Sequence, residues 1–157
     1  MKTDALVCDK VCLCPDVRLA DMRLVPSDDG QYLLMSAVQN GQSDIFVYSL
    51  RTHTYVQVTK DIYDDLNPRF FRNGSGIIFS SNRPADTLRT DESDTLPPLP
   101  QTDLFMYDYQ GSSPVLQRIT RTPEASERMP MEYNRDHIAF LSDENGINNR
   151  YLLKVDS

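Results

Sequence analysis

Short apolar runs alternate with tight polar breaks along most of the chain, and the runs are too short for helices. Tyr32-Leu33-Leu34-Met35-Ser36, Asp44-Ile45-Phe46-Val47-Tyr48, Gly76-Ile77-Ile78-Phe79-Ser80, Asp103-Leu104-Phe105-Met106-Tyr107 and His137-Ile138-Ala139-Phe140-Leu141 show the pattern. They are rich in the β-branched and aromatic residues that suit a pleated, half-buried strand. The breaks are Asp28-Asp29-Gly30, Asn40-Gly41, Asn73-Gly74-Ser75-Gly76 and Asn145-Gly146. Gly and Asn accept the positive φ that tight hairpins require. No stretch longer than about ten residues keeps a 3.6-residue period, so the pattern predicts strands and almost no helix.

The strands recur in a fixed order. Asn67-Pro68-Arg69-Phe70 and Arg128-Met129-Pro130-Met131 open a unit, and the runs ending at Met35, Phe79 and Phe140 follow. Next comes the Asp-led run at Asp44 and Asp103, with a weaker copy at Thr3-Asp4-Ala5-Leu6-Val7-Cys8-Asp9. A further copy, Asn149-Arg150-Tyr151-Leu152, sets Arg150 where the Asp should be. Val56-Gln57-Val58-Thr59 and Leu116-Gln117-Arg118-Ile119-Thr120 close the units. Met35 and Phe79 lie 44 positions apart, while Phe79 and Phe140 lie 61 apart, the excess being absorbed by an insertion at 84–101. A period near 44 is that of a four-stranded propeller blade.

With strands a to d in each blade, the chain divides into four parts. Residues 1–18 form a partial blade or closing strands, 19–62 a blade, 63–123 a blade carrying the insertion, and 124–157 an incomplete blade lacking strand d. The fold expected is all-β: a partial β-propeller of antiparallel four-stranded blades, two complete and one partial at each end. Closed propellers have 4–8 blades, which needs about 176 residues or more. The chain is therefore expected to be a fragment of a longer propeller, or to associate through its incomplete blades. An early strand near Val11 to Cys14 is a candidate for the missing strand d of the last blade.

Composition narrows the function. A net charge of −7 argues against nucleic-acid partners and anionic membrane surfaces. No run approaches 18 apolar residues, so no transmembrane segment is expected, and Met1-Lys2-Thr3-Asp4 does not open a signal peptide. Cys8, Cys12 and Cys14 are odd in number, and three ligands fall short of a structural zinc site, so neither a disulfide framework nor a metal is expected. The pairs Asp28-Asp29 and Asp64-Asp65 read as turn or surface residues rather than calcium ligands. The motifs of hydrolases, P-loop proteins, dinucleotide binders and zinc peptidases are all missing. His53 and His137 read as surface residues, so no catalytic residue and no cofactor is expected.

The repeat resembles the WD40-like (PD40) repeat of the TolB-like β-propellers. That pattern runs Pro-x-aromatic, an apolar strand ending Phe-Ser-Ser-x-Arg, then Asp-Ile-Tyr-x-x-Asp and a closing Leu-Thr. Pro68-Arg69-Phe70, Ile77-Ile78-Phe79-Ser80-Ser81-Asn82-Arg83, Asp103-Leu104-Phe105-Met106-Tyr107-Asp108 and Ile119-Thr120 follow it closely. Met22 stands where the first repeat should have its Pro. The resemblance covers nearly all the chain after Ala20 and is specific for fold more than for function. The strand-c aspartates Asp44 and Asp103 are expected to accept backbone N–H groups at the b–c turn. Phe46, Phe79, Phe105 and Phe140 are expected to pack between blades, with Thr59 and Thr120 closing strand d.

Function is expected on the insertion, the one loop that breaks the repeat. Arg89, Asp91, Glu92, Asp94, Leu96, Pro97, Pro98 and Leu99 are the candidate partner-binding residues, the proline run favouring an extended conformation. The resemblance implies a non-catalytic protein-interaction module of the bacterial cell envelope, periplasmic, binding a protein partner. The alternative is an accessory gating or substrate-binding propeller of a larger peptidase or other hydrolase whose catalytic domain lies elsewhere.

Overall fold

The computed structural model describes residues 17–19, 24–84, 86, 97–111 and 115–155. They form twelve strands in three antiparallel sheets, and no helix occurs among them. The first sheet comprises β1 (Val17–Leu19), β2 (Val25–Pro26), β3 (Tyr32–Gln39), β4 (Gln42–Ser49) and β5 (Thr54–Gln57). β1 and β2 pair with the two ends of β3, so the inner strand of this blade is in two pieces. The second sheet runs in order β6 (Asp65–Phe71), β7 (Gly76–Ser81), β8 (Asp103–Asp108) and β9 (Leu116–Arg118). The third holds β10 (Glu127–Asn134), β11 (His137–Ser142) and β12 (Asn149–Lys154). These are two four-stranded blades and a third of three strands, a partial propeller. The 1–16 segment, with its expected strands at 3–9 and 11–14, lies outside the described residues.

The turns follow their sequence signals. Asn40 and Gly41 both take positive φ (54° and 87°), the tight hairpin geometry that matches the twist of β3 and β4. Both inner strands β6 and β10 carry a bulge at the same place, with Asn67 and Met129 in the left-handed region (φ 52° and 54°) just before Pro68 and Pro130.

The core sits between blades. Leu34, Ile45 and Val47 of the first blade meet Ile77, Phe79, Phe105 and Leu116 of the second, all with at most 2% exposure. Phe71 and Ile78 on the other face of that blade meet Ile138 and Val155 of the third. Phe79 and Phe105 thus pack between blades. Phe46 does not share that core: it lies in a separate buried cluster with Met35, Ala37 and Tyr48, all of its own blade.

The ladder also corrects one alignment. Met35 pairs with Phe46, Phe79 with Phe105, and Phe140 with Tyr151. Asn149 therefore takes the place of Asp44 and Asp103. Arg150 takes the place of Ile45 and Leu104, one residue away from the position its sequence neighbours suggested.

Candidate functional site

Asp44 and Asp103 stand early in strand c of their blades, both buried. Their partners come from strand d, a correction to the expected b–c turn contacts. Thr59 Oγ1 accepts from Ile45 N at 2.9 Å and faces Asp44 Oδ1 at 3.4 Å. Thr120 Oγ1 accepts from Leu104 N at 2.8 Å and faces Asp103 Oδ1 at 3.5 Å. A threonine thus locks strand d onto the start of strand c in each blade. Gln57 Nε2 donates to Asp44 at 3.0 Å, and Arg118, in the equivalent place, ion-pairs with Asp103.

A second carboxylate reaches each aspartate from the next blade. Asp65 opens β6, Glu127 opens β10, and both are buried. Asp65 was expected at a turn or on the surface. It is fully enclosed because its strand starts beneath the first blade, where Ser36 Oγ donates to its carbonyl at 2.6 Å. Asp64 does serve the turn: its carboxylate accepts from Ser43 N, and its own N–H donates to Asn82 Oδ1.

The two junctions neutralise their acids differently. At the first, Arg83 donates to both oxygens of Asp65 and reaches Asp61 at 3.0 Å. Its guanidinium is shielded from solvent and lies within 6 Å of the Tyr63, Phe79 and Phe105 rings, a cation–π cage. Asp44, Asp61 and Asp65 lie close enough to share a cation, and Arg83 already supplies the positive charge to two of them. Asp44 is left without a cation of its own. Burial, then the charges of Asp65 and Asp61, push its carboxyl up to about 7.

At the second junction the cation, Arg118, sits on Asp103, and Glu127 bonds to the hydroxyls of Thr120, Thr122 and Ser142 and to the Asp103 carboxyl. Burial, with a further push from Asp103, raises the Glu127 carboxyl to about 7. Asp61 and Glu127 were not singled out in the sequence, Asp65 was read as a turn or surface residue, and Arg83 and Arg118 were read only as parts of the repeat. The one available signal was Arg83, an arginine closing an otherwise apolar strand motif.

All these groups lie at one end of the strands, the end that carries the b–c hairpins and the d–a connections. The insertion is the b–c connection of the second blade and opens on the same face. Its two roots are fastened. Arg118 donates to the Pro84 carbonyl at 3.2 Å, Leu116 N to the Asp86 carbonyl at 3.0 Å, and Arg121 ion-pairs with Asp86. On the returning side, Leu99 N donates to the Asn82 carbonyl at 2.7 Å. Pro97 and Pro98 are exposed and Leu99 is half-buried, facing a cleft of about 430 Å³ whose walls include Gln101, Arg118 and Arg121. The other expected contact residues, Arg89, Asp91, Glu92, Asp94 and Leu96, lie outside the described residues. His53 takes no part in this face: it sits in the β4–β5 turn, bonded to the Tyr48 hydroxyl at 3.2 Å.

No family model matches the sequence, and no curated protein matches it. Solved structures do. TolB from Acinetobacter baumannii is similar at a TM-score of 0.58 and 18% identity, over 88% of this chain and 33% of that one. The protein described as TolB from Agrobacterium tumefaciens is similar at 0.65 and 16% identity, over 86% of this chain and 47% of that one. This chain has a TolB-like β-propeller fold. It spans a third to just under half the length of those two TolB structures. The AtxE2 isopeptidase is similar only at 0.45, too low to bear on function. At such identities likeness to TolB gives the architecture, and function has to be argued from the face just described. Among the described residues of this TolB-like propeller, no helix is long and apolar enough to cross a membrane.

Proposed function

We propose that the chain is a non-catalytic, protein-binding propeller module of a bacterial cell-envelope protein, which engages its partner through the 84–101 insertion. The observation that carries this reading is the fastening of both insertion roots to strand d and to Asn82. Fixed roots set where the insertion leaves and rejoins the blade, which lowers the ordering cost of binding at those ends. Pro97 and Pro98 add an exposed, stiff element beside the apolar Leu99. The envelope setting rests on the TolB-like architecture.

The test is affinity enrichment from bacterial envelope extracts. The chain is compared with a variant in which residues 87–96 are replaced by a Gly-Ser linker of equal length. Expected is a protein retained by the first and lost with the second, then confirmed with purified components. Identical retention by both would remove the insertion from the interface and overturn the reading.

A further inference from the structure

The second junction differs from the first in what its cation holds. Glu127 and Asp103 are both buried, and their carboxyl groups are hydrogen-bonded to each other. An ionised carboxylate only accepts, so two carboxyl groups bond in this way only with a proton between them. One negative charge then faces one positive charge, Arg118, which ion-pairs with Asp103. The same guanidinium donates to the Thr120 carbonyl at 3.3 Å and to the Pro84 carbonyl at 3.2 Å. Arg118 therefore joins the acid pair to the first root of the insertion. The first junction has no such link: Gln57 stands in the place of Arg118, and the tight Asn40-Gly41 hairpin stands in the place of the insertion.

We propose that the proton shared by Asp103 and Glu127 controls how the insertion leaves the blade. While the proton is held, Arg118 balances the pair and bonds the Pro84 carbonyl. When it leaves, two carboxylates face a single cation away from water, and Arg118 is drawn between them and gives up Pro84. A hydrogen bond to a carboxylate is about twice as strong as one to a neutral carbonyl, and the low surrounding polarity widens the difference. The groups around Glu127 supply no second cation. β8 faces it with Asp103, the connection after β9 with the hydroxyls of Thr120 and Thr122, and β11 with Ser142. On β6 and β7, also packed on β10, the paired Leu66 and Ser80 carry no charge, and Asp65 is answered by Arg83. Arg121 is paired with Asp86 and Arg128 with Asp143, while Glu124 is exposed. Burial and Asp103 raise the Glu127 carboxyl to about 7, so the Pro84 bond is kept below neutrality and lost above it. The switch acts on the root itself and requires no partner. Only its effect on binding, a partner held less well at higher pH, rests on the function proposed above.

Carbon-13 NMR of the whole chain, followed from acid to alkaline pH, reads the switch in the folded state. The Pro84 carbonyl signal is expected to move upfield, as a carbonyl does on losing a donor, with the same midpoint as the Glu127 side-chain carboxyl. The Asn82 carbonyl, which accepts from Leu99 N at the other root, should show no step at that midpoint. Glu127→Gln, neutral at every pH, should hold the Pro84 signal at its low-pH position throughout. Asp44→Asn, at the first junction, should leave the Pro84 step in place. Arg118→Met should fix the Pro84 signal near its high-pH position. If that variant fails to fold, the Arg118 side-chain nitrogen signals, which must move with the same midpoint, take its place. A Pro84 signal that stays still while Glu127 titrates overturns the proposal, as does a step that survives Glu127→Gln. An equal step at Asn82 would mean a general loosening of the junction, and a step that survives Arg118→Met would be the field of the carboxylate alone; either result also overturns it.

Discussion

Arg83 Nη2 lies 2.8 and 2.6 Å from the two carboxylate oxygens of Asp65, and neither side chain reaches solvent. Asp65 begins the inner strand of the second blade, and Arg83 follows that blade's second strand. The pair closes the blade upon itself while facing the first blade's Asp44. Removing the arginine leaves buried carboxylates with no counter-charge. Arg83→Met is expected to destabilise the fold by about 3–5 kcal/mol in urea unfolding. The double variant Arg83→Met with Asp65→Leu should recover much of that. A double variant no more stable than the single one would mean that the ion pair is not what the arginine is holding.

Stability should fall as pH rises through neutrality. Asp44 and Glu127 have folded-state values near 7, above their ordinary 3.8 and 4.5. A carboxyl raised by folding favours the folded state while protonated. That contribution is whole below about pH 4 and is lost progressively as pH climbs toward and past 7. The urea midpoint is therefore expected to decline between pH 5 and pH 8. Asp44→Asn with Glu127→Gln should flatten the decline, and an unchanged slope in that variant would assign it to other groups.

Two equivalent serines should respond oppositely to the same change. Ser36 Oγ donates to the Asp65 carbonyl at 2.6 Å. At the next junction the matching Glu127 carbonyl is taken by Thr102, and Ser80 Oγ is buried with no partner among the described residues. Ser36→Ala should cost about 1 kcal/mol, while Ser80→Ala should be neutral or stabilising by up to about 1 kcal/mol. Thermal unfolding of the two variants side by side checks the sign.

Met129 holds a left-handed backbone conformation that Asn67 holds in the preceding blade. Asparagine tolerates that region and methionine does not. Met129→Asn is expected to raise stability by about 0.5–1 kcal/mol, read as a higher melting temperature. Met129→Val should lower it, because a β-branched residue fits the region worst.

The blade plan was legible because each strand carries its own local signal, from the Asn40-Gly41 turn to the threonines that end strand d. What escaped reading depends on contacts between distant positions. Asp44 and Asp103 precede apolar runs, as turn-capping aspartates do, yet their partners lie 13–17 residues later in and just after strand d. Asp65 looked like half of an exposed acidic pair until the neighbouring blade covered it. The misplacement of Arg150 arose because the last b–c connection is irregular in sequence, and only the β11–β12 ladder fixes the register. On the insertion, the carbonyls of Pro84, Asp86 and Asn82 and the N–H of Leu99 carry most of the anchoring, and such main-chain groups leave no trace in residue type.

The two blade junctions meet the same demand from opposite sides, with Arg83 contributed by the following blade and Arg118 by the preceding one. The blades look like copies but are not interchangeable parts. A duplicate of the first blade set in front of the third would offer Asp44 and Gln57 where Asp103 and Arg118 now stand, and the copied Asp44 would face Glu127 with no cation between them. Blade order is thus written into the chemistry of the seams, and a propeller of this kind grows or shrinks only where a cation arrives together with the new acid.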